Sequence, residues 1–171
     1  MTTRKRYIIL EKVFHPFEPI YDSQSKILIL GTMPSVKSRK DNFYYAHPQN
    51  RFWKVISSIT KSTVPETTNE KTKLLLDNRI AVWDVIKSCE IVNSSDSSIK
   101  HVVPNNIESL LQKGNIVQVY ANGSTAKKLY DKHIFPLTRQ NCICLPSTSP
   151  ANAAFTLEKL IDCWSQINIY L

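Results

Sequence analysis

Residues 27–56, ILILGTMPSVKSRKDNFYYAHPQNRFWKVI, decide how this chain folds. The unbroken apolar run Ile27–Leu30 stops at Gly31, the pattern of a strand buried on both faces. A polar, basic loop follows, then the aromatic group Phe43, Tyr44 and Tyr45 beside His47. From Arg51 to Ile59 the apolar residues Phe52, Val55, Ile56 and Ile59 recur on one face of a helix. Strand, loop and helix in that order bring backbone, rings and polar side chains to one mouth of an α/β sheet.

The same grammar repeats along the chain. Short branched or aromatic runs, each closed by a turn signal, predict further strands at Ile80–Val85, Ile116–Tyr120 and Cys142–Leu145. Helix-like stretches lie between and after them at Glu66–Asp77, Pro104–Lys113, Gly123–His133 and Ala151–Tyr170. Pro104 suits an early helical position, with Ile107, Leu110 and Leu111 facing inward. Alternating strands and helices predict one α/β domain over residues 1–171 with a mainly parallel sheet. Right-handed crossovers then place every strand C-terminus on one edge, where such sheets bind ligands. Of the three glycines, Gly31 and Gly123 follow strands and Gly114 ends a helix, where a left-handed cap is common. The polar segment Ser94–Ser98 reads as a surface loop.

Composition narrows the function. A chain of 171 residues with 42% hydrophobic and 21% charged residues has the make-up of an ordinary globular domain. No apolar run reaches membrane-span length, and Tyr7–Leu10 after the basic Met1–Arg6 is too short for a signal peptide. An intracellular protein, cytoplasmic or nuclear according to its host, is the expectation. Four scattered cysteines, without a C-x-x-C pair or a zinc-finger histidine, read as buried free thiols, with no metal site. Cys142 and Cys144 would share a strand face. The loop after Gly31 lacks the Lys-Ser/Thr of a P-loop, and no GxGxxG follows, so no nucleotide cofactor is expected. The net charge is +8, and Lys37, Arg39, Lys40 and Arg51 gather around the loop block. That distribution points to phosphate contacts and a polyanionic partner.

Candidate site residues follow from position. Phe43, Tyr45 and His47 form either a core cluster or a stacking surface for a base. At the fourth strand exit, Pro146-Ser147-Thr148-Ser149-Pro150-Ala151-Asn152 is a proline-bracketed loop of hydroxyls, able to grip a phosphate or simply to cap a helix. Asp84 ends the second strand, where its carboxylate could cap the next turn or accept a ring N–H. Asn122-Gly123 reads as turn chemistry.

The stretches Gly31-Thr32-Met33-Pro34-Ser35 and Phe43-Tyr44-Tyr45-Ala46-His47-Pro48-Gln49-Asn50-Arg51-Phe52-Trp53 resemble the first motif region of the uracil-DNA glycosylase superfamily. They are most similar to the branch that removes hypoxanthine from DNA, while mismatch-specific uracil/thymine glycosylases share much of residues 46–56. Pro146–Asn152 resembles that superfamily's second motif, the loop that enters the DNA minor groove. The resemblance spans roughly Ile27 to Trp164. It implies a three-layer α/β/α fold with a central, mainly parallel four-stranded sheet. It also implies a monomeric enzyme on double-stranded DNA that flips out a deaminated base and hydrolyses its N-glycosidic bond. By the same resemblance, Gly31, Thr32, Met33, Phe43, Tyr45 and His47 would form the base pocket. Lys37, Arg39, Arg51, Pro146, Ser147, Thr148, Ser149, Pro150 and Asn152 would meet DNA. One departure stands out. The mismatch-specific branch has a catalytic asparagine two residues past the glycine, and Met33 occupies that place here. The implied catalyst is then Asn50, with Asp84 second; a uracil-directed enzyme and a non-catalytic DNA-binding homologue are the alternatives.

Overall fold

The protein is described by a computed structural model, and the structure covers residues 10–92 and 96–171. In chain order the elements are β1 (Leu10–Phe14), β2 (Ile27–Gly31), α1 (Val36–Asp41), α2 (Phe52–Ile59), α3 (Thr68–Asp77), β3 (Ile80–Asp84) and β4 (Ile86–Val92). They continue as β5 (Lys100–Pro104), α4 (Ile107–Lys113), β6 (Gln118–Asn122), α5 (Ser124–His133), α6 (Phe135–Thr138), β7 (Cys142–Leu145) and α7 (Leu157–Trp164), closed by a 3-10 turn at Ser165–Tyr170.

Four of the strands form a wholly parallel sheet in the order β3-β2-β6-β7. β2 is fully buried along its length, which is why it reads as an unbroken apolar run. One face of the sheet, including Ile27, Ile29, Val82 and Tyr120, packs on Phe52, Val55 and Ile56 of α2 and on Leu160 and Trp164 of α7. The other face, including Leu28, Leu30, Val119 and Ala121, packs on Ile107 and Leu110 of α4 and Ala126 and Tyr130 of α5. Helices on both faces of the sheet give the expected three-layer arrangement. Among the described residues, no helix is long and apolar enough to cross a membrane.

A second, antiparallel sheet of order β1-β4-β5 was not expected from the sequence. Its small core is Val13, Ile86, Cys89 and Ile91, against which Met33 packs. Pro104 belongs to this sheet and not to a helix. It ends the edge strand β5 opposite Ile86, where a missing N–H is tolerated, and α4 begins only after Asn106 caps Ser109 N–H. The third parallel strand begins at Gln118, two residues later than the apolar run suggested. Gly114 is extended, with φ −94° and ψ 170°, and forms no left-handed cap. Cys142 is buried, but Cys144 two residues on is exposed, because the cluster of Tyr130 and Ile134 reaches the start of edge strand β7 and not its end. Of the polar segment Ser94–Ser98, Asp96–Ser98 form a 3-10 turn, while Ser94 and Ser95 lie outside the described residues, as do Met1–Arg6.

Candidate active site

Because all four strands of the main sheet run parallel, their C-termini share an edge, and a cavity of about 640 Å³ opens there. Gly31 to Met33 line it after β2, Asp84 after β3, Asn122 after β6, and Ser147 to Ala151 after β7. Tyr45, His47 and Asn50 enter from the loop before α2, and Lys37 and Arg39 from α1. The volume lies within the range of small-molecule sites.

Asn50 is held by bonds whose directions are all determined. Thr148 N–H donates to Asn122 Oδ1 at 3.0 Å, so the Asn122 amide nitrogen must face the Thr148 hydroxyl, to which it donates at 3.0 Å. The Thr148 hydroxyl hydrogen is then left to donate to Asn50 Oδ1 at 2.9 Å. Phe52 N–H donates to the same oxygen at 3.0 Å. Since a backbone N–H can only donate, the Asn50 amide has one permitted orientation. Its oxygen is taken up by the protein, and its Nδ2 hydrogens have no acceptor among the described residues. Asn50 therefore presents a donor to the cavity.

Asp84 is buried, 4% exposed, and its Oδ2 accepts from His15 Nε2 at 2.7 Å. The other oxygen lies over Gly31. A Cβ placed on Gly31 would come within 2.2 Å of Asp84 Oδ1. The glycine is thus required by the carboxylate. Gly123 is the other demanding position, with φ at 99° and Ser147 Cβ 3.1 Å from its own notional Cβ.

Tyr45 occupies left-handed backbone (φ 49°), a conformation that costs a non-glycine residue about 1–2 kcal/mol. It is held there by Ala46 N–H donating to Ser38 Oγ at 3.0 Å and by stacking on Phe52, ring centroids 3.9 Å apart. One ring face is therefore occupied, and Tyr45 can stack with substrate only through the other. Its hydroxyl is buried and makes no well-formed hydrogen bond among the described residues. Burial first, and the nearby Asp84 charge second, push its ionisation well above the ordinary tyrosine range, only partly opposed by the Asn122 amide. The phenol is a protonated donor. His47 Nδ1 accepts from Gln49 N–H at 3.1 Å, which places the ring hydrogen on Nε2.

Two expected site residues lie elsewhere. Phe43 does not line the cavity; it stacks on Trp53 at 6.1 Å and packs against the core, because its side chain lies on the α2 side of the loop. Arg51 is not free to meet phosphate. Its guanidinium donates to the carbonyls of Thr148 at 3.3 Å, Ser149 at 2.6 Å, Asn152 at 3.0 Å and also Phe155. It is a cross-tie that fixes the 148–155 loop beside Asn50. Within that loop the roles divide. Thr148 is fully buried, while Pro150 is exposed. Pro146 O accepts from Trp164 Nε1 at 2.9 Å, and Asn152 Nδ2 donates to Ser147 O at 3.0 Å. Ser147 and Ser149 hydroxyls accept from Ser149 and Ala151 N–H, each at 3.2 Å, so the loop is internally braced. Lys37 pairs with Asp41 at 2.8 Å on the surface, and Arg39 Nη1 donates to Pro34 O at 2.9 Å; both remain at the cavity mouth.

His15 and Asn122 were not anticipated as site residues. Asn122 ends a strand just as Asp84 does, and that positional signal could have found it. His15 carries no spacing signal, lying 69 residues from its partner. Among the described residues, no group of three or more His, Cys, Asp and Glu is placed to hold a metal ion.

Comparison with known proteins gives the chain's relatives. A protein described as hypoxanthine DNA glycosylase, from Methanosarcina acetivorans, is 31% identical over 145 residues, covering 84% of this chain and 90% of its own length. One of the same description from Methanosarcina barkeri is 36% identical over 86 residues, covering 49% and 54%. A solution NMR structure from Methanosarcina acetivorans, a structural-genomics target described provisionally as a uracil DNA glycosylase, superposes with a TM-score of 0.78 at 27% identity, covering 93% of this chain and 96% of that one. The family model described as the Uracil DNA glycosylase superfamily matches residues 18–169, and the chain belongs to that superfamily.

Proposed function

We propose that this protein, acting as a monomer on double-stranded DNA, flips out a deaminated base, hypoxanthine foremost, and hydrolyses its N-glycosidic bond to leave an abasic site. The carrying observation is the pairing, in one cavity at the strand ends, of an amide fixed as a donor (Asn50) with a buried carboxylate (Asp84). The names of the relatives support the choice of hypoxanthine. So does Met33, which adds no polar group at the position where the uracil/thymine branch carries its asparagine.

Extrusion costs a few kcal/mol and costs less at a mismatched base. In the cavity the free face of Tyr45 stacks on the base. The C1′–N9 electron pair then leaves with the base, which becomes anionic while the sugar becomes oxocarbenium-like. His47 Nε2–H is a donor available to that developing negative charge. Asn50 Nδ2 holds the oxygen of the attacking water, and Asp84 accepts one of its hydrogens and offsets positive charge on the sugar. Water adds to C1′, and its proton ends on the released base.

Base release from labelled duplexes carrying one hypoxanthine, uracil or xanthine, with alkali cleavage of the abasic product, tests this. Release fastest at hypoxanthine is expected. Release only at uracil would transfer the substrate, and salt-sensitive binding without release would make the chain a non-catalytic DNA-binding homologue.

A further inference from the structure

We propose that His15 is a positioning residue: it holds the Asp84 carboxylate over Gly31 in the orientation that base release requires. The proposal rests on the glycosylase reading above. His15 follows β1, in the small antiparallel sheet, and reaches across to the C-terminal edge of the main sheet. Its backbone N–H donates to Lys87 O at 2.8 Å. Its ring meets Phe17 edge-on at 4.6 Å and leans on Tyr44 at 6.0 Å. The side chain is 2% exposed, so the ring has one setting.

That setting delivers one hydrogen. Nε2 lies 2.7 Å from Asp84 Oδ2, while Nδ1 is buried without a partner among the described residues. A hydrogen on Nδ1 would be an unpaired donor in the interior, so the ring carries its hydrogen on Nε2 and donates it to the carboxylate. Asp84 is then gripped on three sides. Asn105 Nδ2 donates to its backbone carbonyl at 2.9 Å, His15 holds Oδ2, and the absent Gly31 side chain leaves a berth for Oδ1. Without His15, a buried charge loses its donor and has reason to turn away from that berth.

A histidine that merely filled the core would affect stability and leave the chemistry alone. Single-turnover hypoxanthine release, duplex affinity and melting temperature should therefore be measured for wild type, His15→Gln, His15→Leu, Asp84→Asn and the His15→Leu/Asp84→Asn double variant. Gln keeps an N–H near the Nε2 position; Leu removes it. The expected outcome is a rate loss of about 10- to 100-fold in His15→Leu with unchanged affinity, and substantial rescue in His15→Gln. The double variant should be no slower than Asp84→Asn alone, because His15 acts only through Asp84. A wild-type rate in His15→Leu, or losses that multiply in the double variant, would overturn the proposal. A wild type that releases no base overturns the functional reading instead. The pair is then read from ring ¹⁵N shifts, which Asp84→Asn must change if the carboxylate is His15's acceptor; unchanged shifts would end the proposal.

Discussion

The Thr148 hydroxyl donates to Asn50 Oδ1 at 2.9 Å, although 98 residues separate the two in sequence. Thr148 is fully buried, so it cannot contact DNA in this conformation. Its task is to join Asn122 to Asn50 and fix which end of the Asn50 amide faces the cavity. Thr148→Val keeps the shape and deletes the hydroxyl, leaving Asn122 Nδ2 unsatisfied at a cost of about 1–3 kcal/mol. It should slow base release about 10- to 100-fold, with Thr148→Ser close to wild type. Denaturant unfolding and single-turnover rates check both.

Gly31 is needed for space and not for an unusual backbone conformation. A methyl group there meets Asp84 Oδ1 at 2.2 Å, which neither group can accept without moving. Gly31→Ala is expected to cost about 1–3 kcal/mol and to displace the carboxylate from its berth. Activity should fall further than stability explains. Full activity in a folded Gly31→Ala protein would show that the Asp84 position is immaterial.

Arg51 and Lys37 carry the same charge and should behave oppositely. Arg51 serves backbone carbonyls of residues 148–155, so Arg51→Ala should cost at least about 2 kcal/mol in unfolding free energy, and lysine should not restore a fork of several donors. The salt dependence of duplex binding should keep its slope. Lys37, exposed at the cavity mouth, should be near neutral for stability when replaced by alanine, yet lower that slope by about 0.9. Titrating binding against salt for both variants separates the roles.

Burial pushes the Cys142 thiol up to about 12. In the unfolded chain the thiol ionises at its ordinary value of 9.0, so above that pH the unfolded state loses a proton that the folded state keeps. Stability from this group is therefore complete below pH 9 and declines as pH rises toward 12. Cys142→Ala should flatten that part of the stability–pH curve. At neutral pH a thiol reagent should label exposed Cys144 well before Cys142 or Cys89.

The main sheet was legible because burial on both faces writes itself as runs such as Ile27–Leu30. The small sheet was not. β1 buries only Val13 of its five residues, and β5 buries none, so neither shows the alternation that marks a strand. Pro104 then imitated a helix start. In the site, Asn50 and Asp84 could be named from their places in the chain and their resemblance to family motifs, and the structure brings both to one cavity. The direction of the Asn50 amide could not be foreseen, since it is set by Thr148 and Asn122 through tertiary contacts. Arg51 misled for a related reason: a guanidinium beside a loop satisfies carbonyls as readily as phosphates. His15 was silent because only folding brings it to Asp84.

The most direct test of Asn50 as a donor is the single-turnover rate of hypoxanthine release by Asn50→Asp, a substitution that keeps the shape and replaces the NH₂ with an oxygen. With Oδ1 already accepting from Thr148 and Phe52, the account predicts a loss of at least about 100-fold, matching Asn50→Ala. A rate near wild type in Asn50→Asp would contradict it, showing that residue 50 serves the water as an acceptor.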